Sequence, residues 1–175
     1  HKYPFAGTTN AYVQLFDVDL NGDMREIPWN HDLFPYLVTV APSGSLPTFS
    51  VLSRDQSTLH INSWDSRNAT TIAIREEKPW HTVFGGVPRL TLNGDLLEIR
   101  PIDNAFRLCV NGEPVSPPDI QVNGVLDWDA DVIYTGSIDP TTQDIFSDKY
   151  GNLSIDTGFT SAAADAGIVV RSATT

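Results

Sequence analysis

Four asparagine–glycine pairs, Asn21-Gly22, Asn93-Gly94, Asn111-Gly112 and Asn123-Gly124, constrain this chain more than any other feature. A tight primed turn needs positive φ at its two central residues, and Asn-Gly meets that need at the least steric cost. The segments around the pairs alternate apolar and polar residues. "AYVQLFDVDL" puts Tyr12, Gln14, Phe16, Val18 and Leu20 on one face. "TLHINSW" puts Leu59 and Ile61 on one face and His60, Asn62 and Trp64 on the other. "TTIAIRE", "RLTLNGDLLEI", "AFRLCVNGEPV", "DIQVNGVLDW" and "ADVIYTG" continue the pattern. Period-two alternation marks half-buried strands. The expected fold is all-β: one domain over residues 1–175, an antiparallel β-sandwich built of meanders. The alternative is a β-trefoil, suggested by the echo between "NAYVQLFDVDLNGD" and "NAFRLCVNGEP". Only "TSAAADAG" (Thr160 to Gly167) reads as a short helix.

Composition narrows the function. The chain has 175 residues, 41% of them hydrophobic and 19% charged, enough for a packed core without staples. Its 11 basic residues against 22 acidic ones give a net charge of −11, which disfavours nucleic acid and anionic membrane surfaces as partners. No apolar run approaches the length of a membrane span, so membrane insertion is not expected. A single cysteine, Cys109, cannot form an internal disulfide. The sequons at Asn68-Ala69-Thr70 and Asn152-Leu153-Ser154, with His1 standing where an initiator Met would, favour a secreted or surface-exposed glycoprotein.

"FDVDLNGDMREI" has the acidic spacing of a calcium loop, but its flank is strand-patterned. Pro28 occupies the twelfth position, where such a loop needs a bidentate Glu. What survives is a turn site in which Asp17, Asp19, Asn21 and Asp23 could share calcium, beside the plainer reading of a solvated acidic turn; no cofactor is the leading expectation. A copper site is a second metal reading. The amine and imidazole of His1 could chelate Cu(II), with His60 or His81 completing three nitrogens and Tyr134 axial, as in secreted copper monooxygenases acting on polysaccharides. No Gly-x-Ser-x-Gly elbow, zinc spacing or phosphate-cradling loop occurs. Cys109 reads as a core residue of a strand.

The stretch "LHINSWDSRNATTIAIREEKPW" (Leu59 to Trp80) combines rings with hydrogen-bonding side chains: His60, Asn62, Trp64, Arg67 and Trp80. Sugar recognition needs this mixture, since a ring stacks on a pyranose face while polar groups bond its hydroxyls. The bland alternative makes both tryptophans core residues. "HIN" at His60 to Asn62, a later Trp like Trp80, and "FRLCVNGEPV" followed by "ADVIYTGSI" resemble galectin-type lectins. That resemblance implies a jelly-roll, galectin-like sandwich binding carbohydrate without catalysis. Ser63 and Trp64 stand where the family has Pro-Arg, and "HTVFGG" follows Trp80 in place of Gly-x-Glu-x-Arg, so galactoside specificity does not carry over. The leading expectation is a lectin-like, non-enzymatic module for carbohydrate or glycoprotein. The alternatives are a structural surface protein, such as a cell-wall component or viral capsid protrusion, and the copper enzyme.

Overall fold

The computed structural model describes residues 10–128 and 131–155. The helix expected at 160–167 and the proposed copper ligand His1 lie outside them. The described residues contain strands and turns and no helix, in antiparallel sheets throughout. The chain divides into two compact units, His1–Pro42 with Leu46–Val83, and Ser43–Ser45 with Phe84–Thr175.

The first unit opens with a hairpin of β1 (Phe16–Val18) and β2 (Met24–Glu26), turned at Asn21-Gly22 with Gly22 at φ 90°. A four-stranded sheet follows in the order β3 (Tyr36–Ala41), β4 (Thr48–Leu52), β5 (Thr58–Trp64) and β6 (Ala69–Glu76). β4 is buried along its whole length. On one face Val51 lies opposite His60 and Phe49 opposite Asn62. Phe49, Val51, Trp64 and Ile27 form the core on that face, with Leu15, Trp29, Phe34 and Leu37 packed against it. The apolar positions Ile72 and Ile74 of β6, an edge strand, remain exposed.

The second unit holds two sheets of the same design. One runs β7 (Arg89–Leu90), β8 (Leu96–Ile102), β9 (Ala105–Val110), β10 (Glu113–Pro114); the other runs β11 (Gln121–Asp127), β12 (Ile133–Ser137), β13 (Asp144–Ser147), β14 (Gly151–Asn152). They share one core, in which Leu97, Ile99 and Leu108 of the first sheet meet Val122, Tyr134 and Phe146 of the second. Tyr134 and Phe146 stack with centroids 5.5 Å apart. This is sandwich-type layering. Every described strand in the three sheets pairs with its neighbours in sequence, so the sheets are meanders without crossovers.

Three of the four Asn-Gly pairs turn hairpins: β1–β2, β7–β8 and β9–β10. At Asn111-Gly112 both residues have positive φ, 52° and 89°. The fourth pair turns nothing. Asn123-Gly124 lies inside β11, where the register against β12 shifts between Val122 and Gly124. It is a β-bulge, the other backbone irregularity that glycine favours. The β8–β9 corner falls instead at Asp103-Asn104, with φ of 52° and 63°; Asp and Asn tolerate the left-handed region better than other side chains do. Gly136 of β12 is required for packing. A Cβ there would stand 2.6 Å from the Ile120 Cγ2 and 3.1 Å from the Gln121 carbonyl.

Candidate functional site

The loop between β2 and β3 builds a cleft of the first unit. "PWNHDLF" (residues 28–34) closes on itself through the Phe34 N–H donating to the Asn30 carbonyl (2.9 Å) and the Leu33 N–H donating to the Asn30 side-chain oxygen (3.1 Å). The Trp29 indole N–H donates to the Phe34 carbonyl at 3.0 Å, which fixes the ring over the loop. Trp29 and Phe34 then face His60, Asn62 and Thr71 of β5 and β6 across a cleft of about 280 Å³. Phe34 and His60 lie 4.0 Å apart, and Trp29 is 4.0 Å from His31, which stacks in turn on Tyr12 at 4.6 Å.

The cleft offers polar groups beside its rings. Burial holds the His60 imidazole below its usual range, so the ring is neutral at pH 7 and carries one donor and one acceptor. Asn62 is buried, accepts a hydrogen bond from the Thr71 hydroxyl at 2.8 Å, and directs its amide N–H at the His60 carbonyl at 3.4 Å.

Of the five residues nominated from sequence, the fold brings His60 and Asn62 together in this cleft. The other three lie elsewhere. Trp64 is 3% exposed, and its indole N–H donates to the Asp17 carboxylate of β1 at 2.9 Å. It is a core residue tying the hairpin to the sheet, with no face open for stacking. Arg67 sits in the exposed β5–β6 turn, where Asp65 accepts from the backbone N–H groups of Arg67 and Asn68 at 2.8 and 2.6 Å. Trp80 follows β6, is 61% exposed, and does not line the cleft. Sequence reading passed over Trp29 and Phe34. Their signal was two rings within seven residues of a turn-rich, non-alternating segment.

The acidic turn is occupied with its own backbone. Asp19 accepts from the N–H groups of Asn21 and Asp23 at 2.8 and 2.9 Å, and the bond from Asp23 does most to hold its carboxyl below the usual range. With Asp17 engaged by Trp64, two of the four nominated calcium ligands have other partners. Among the described residues no group of three or more His, Cys, Asp or Glu side chains is placed to hold a metal ion. The His81 Nε2 lies 3.0 and 3.1 Å from the Ser57 and Arg75 carbonyls. Two acceptors require that nitrogen to carry the proton, which leaves only Nδ1, itself 3.5 Å from the Glu77 carboxylate. Tyr134 is buried in the second unit, with its phenol pushed up to about 12, chiefly by burial and secondarily by the charge of Asp148. No described helix is long and apolar enough to cross a membrane.

No family model matches the chain, and no curated protein matches it. Among solved structures it is similar to the crystal structure of Porphyromonas gingivalis dipeptidyl peptidase 4, with a TM-score of 0.61 and 16% identity. The match covers 84% of this chain and 23% of that one, so the chain spans about a quarter of the length of the peptidase. At that identity the likeness is one of fold.

Proposed function

We propose that the chain is a non-catalytic β-sheet module of a larger peptidase, contributing binding surface rather than bond-breaking chemistry. The observation that carries this reading is the fold match, which takes in most of this chain and a minor part of a dipeptidyl peptidase. Strand order supports it. Each four-stranded sheet, taken singly, is a sequential antiparallel meander, and such sheets are the blades of β-propellers, which use four to eight of them. The sequence also lacks a nucleophile elbow. The test uses antibody raised against this sequence. The native polypeptide it recovers should be far longer than 175 residues and should release dipeptides from peptide N-termini, while the isolated chain releases none. A native polypeptide of this length, or turnover by the isolated chain, would overturn the reading.

The cleft of the first unit favours a second reading, carbohydrate binding. Trp29 and Phe34 supply rings beside the neutral His60 and the Asn62–Thr71 pair, the mixture a pyranose requires. A glycan array should then show saturable binding that Trp29→Ala abolishes and Trp80→Ala leaves unchanged. Binding that depends on Trp80 instead would move the site out of this cleft.

A further inference from the structure

The second unit carries a different cleft, of about 500 Å³, within the size range of small-ligand sites. It lies between β11, the end of β12 and the β12–β13 loop, and none of its lining side chains is charged.

Two amides are held in opposite senses. The Gln121 side-chain oxygen accepts from the Phe106 backbone N–H at 3.0 Å. Its NH2 group has no protein partner among the described residues, which leaves two donors open. Asn123 is the extra residue of the β11 bulge. Its NH2 donates to the Ser137 hydroxyl at 3.0 Å, and among the described residues its carbonyl oxygen has no donor, which leaves it open as an acceptor. A donor and an acceptor therefore stand two residues apart on one strand, each fixed by the other half of its own amide. Such anchoring lowers the entropy cost of binding.

The remaining wall combines two aliphatic residues with the polar Ser137, Thr141, Thr142 and Gln143. Ile138 and Pro140 line it, and Ile138 is exposed. Asp139, the nearby carboxylate, is engaged by the Thr141 N–H at 2.8 Å and the Thr141 hydroxyl at 2.7 Å. The Thr142 N–H and hydroxyl both donate to the Asp139 carbonyl.

We propose that this cleft binds a short uncharged peptide segment, with the Gln121 NH2 donating to a peptide carbonyl and the Asn123 side-chain oxygen accepting from a peptide N–H. A peptide group presents one acceptor and one donor, and small aliphatic side chains fit against Ile138 and Pro140. A saccharide is the poorer match, because no aromatic ring lines the cleft to stack on a pyranose face. The cleft lies wholly within the second unit, so failure of the peptidase reading would leave this binding intact.

The test is a ¹⁵N NMR titration of the full chain with N-acetylated, C-amidated tetra-alanine, and in parallel with maltotetraose. The peptide should shift the side-chain amide signals of Gln121 and Asn123 saturably, while maltotetraose leaves them in place. Asn123→Ala should weaken the peptide about tenfold, the equivalent of one lost hydrogen bond. Asn123→Asp, which keeps the acceptor but loses the NH2 that anchors it on Ser137, should bind more weakly than the wild type and more tightly than Asn123→Ala. Absence of saturable shifts with the peptide would overturn the proposal. So would equal or larger shifts with maltotetraose, or identical losses in both variants.

Discussion

The two units present clefts of opposite chemistry on sheets of the same strand order. The first is walled by Trp29 and Phe34 and contains a neutral imidazole. The second has no ring and no charge, and offers anchored amides beside an isoleucine and a proline. Their cores differ in the same way. The first is stabilised across a distance, by the Trp64 indole reaching Asp17 on a separate hairpin. The second is an aliphatic layer closed by the stacked Tyr134 and Phe146. A meander fixes where strands run, while each cleft is shaped by the loop that folds over the sheet in one unit and by the bulge within a strand in the other.

The sharpest way to break the comparison is to remove one buried ring from each core. Trp64→Ala and Phe146→Ala should each cost about 3–5 kcal/mol, measured by urea unfolding. If either cost less than about 1 kcal/mol, the core assigned to that unit would not hold.

A smaller effect separates two glycines of the paired strands β11 and β12. Gly136→Ala forces the new methyl against Ile120 and should cost about 1–3 kcal/mol. Gly124→Ala meets only the Thr135 hydroxyl, at an ordinary 3.7 Å, and should stay within about 0.5 kcal/mol. Equal costs would show that the tight approach at Gly136 is not a feature of the folded protein.

The pH response should distinguish the units, by the number of sites at the acid end and by Tyr134 at the alkaline end. Asp19, Asp55 and Asp65 of the first unit have carboxyls held low by hydrogen bonds, largest from the Asp23 N–H, the Ser53 hydroxyl and the Asn68 N–H respectively. In the second unit Asp139 is held low chiefly by the Thr141 hydroxyl. A depressed carboxylate adds stability above its unfolded value near 4, and that stability is lost as pH falls through the lower folded value. Protection of the amides at the turns of the first unit, taken relative to their intrinsic exchange rates, should therefore fall below about pH 4, at more sites than in the second. At the alkaline end Tyr134 works the other way. Its neutral phenol favours the fold below the unfolded value near 10, and that contribution is lost as pH rises through about 12. Tyr134→Phe should remove this alkaline sensitivity in a denaturation series from pH 9 upward. Unchanged sensitivity would mean that the phenol is solvated.

The smallest expected effect belongs to Trp80. Trp80→Ala should change stability by no more than about 0.5 kcal/mol, while removing much of the acrylamide-quenchable tryptophan fluorescence. The buried Trp64 should resist quenching.

Alternation made the strands legible. β5 falls on Thr58–Trp64, the segment whose periodicity is cleanest, and three of the four Asn-Gly corners lie between paired strands. The fourth was misread because glycine serves bulges as well as turns, and the local residues do not distinguish the two uses. The candidate site was half legible. His60 and Asn62 share a face by period, and so does Trp64, but a shared face does not reveal what covers it. Trp64 is covered by the first unit's core and reached by Asp17, 47 residues earlier.

By itself the sequence determined that this chain folds as antiparallel ribbons and, away from the bulges, which side chains point the same way along each, because pleat and turn chemistry are local. Tertiary structure alone decided that Trp64 is buried and Trp80 open, that residues 28–34 roof His60, and that Gln121 and Asn123 expose opposite halves of their amides. Those outcomes depend on contacts between segments far apart in the chain, whose register and cover no local pattern encodes.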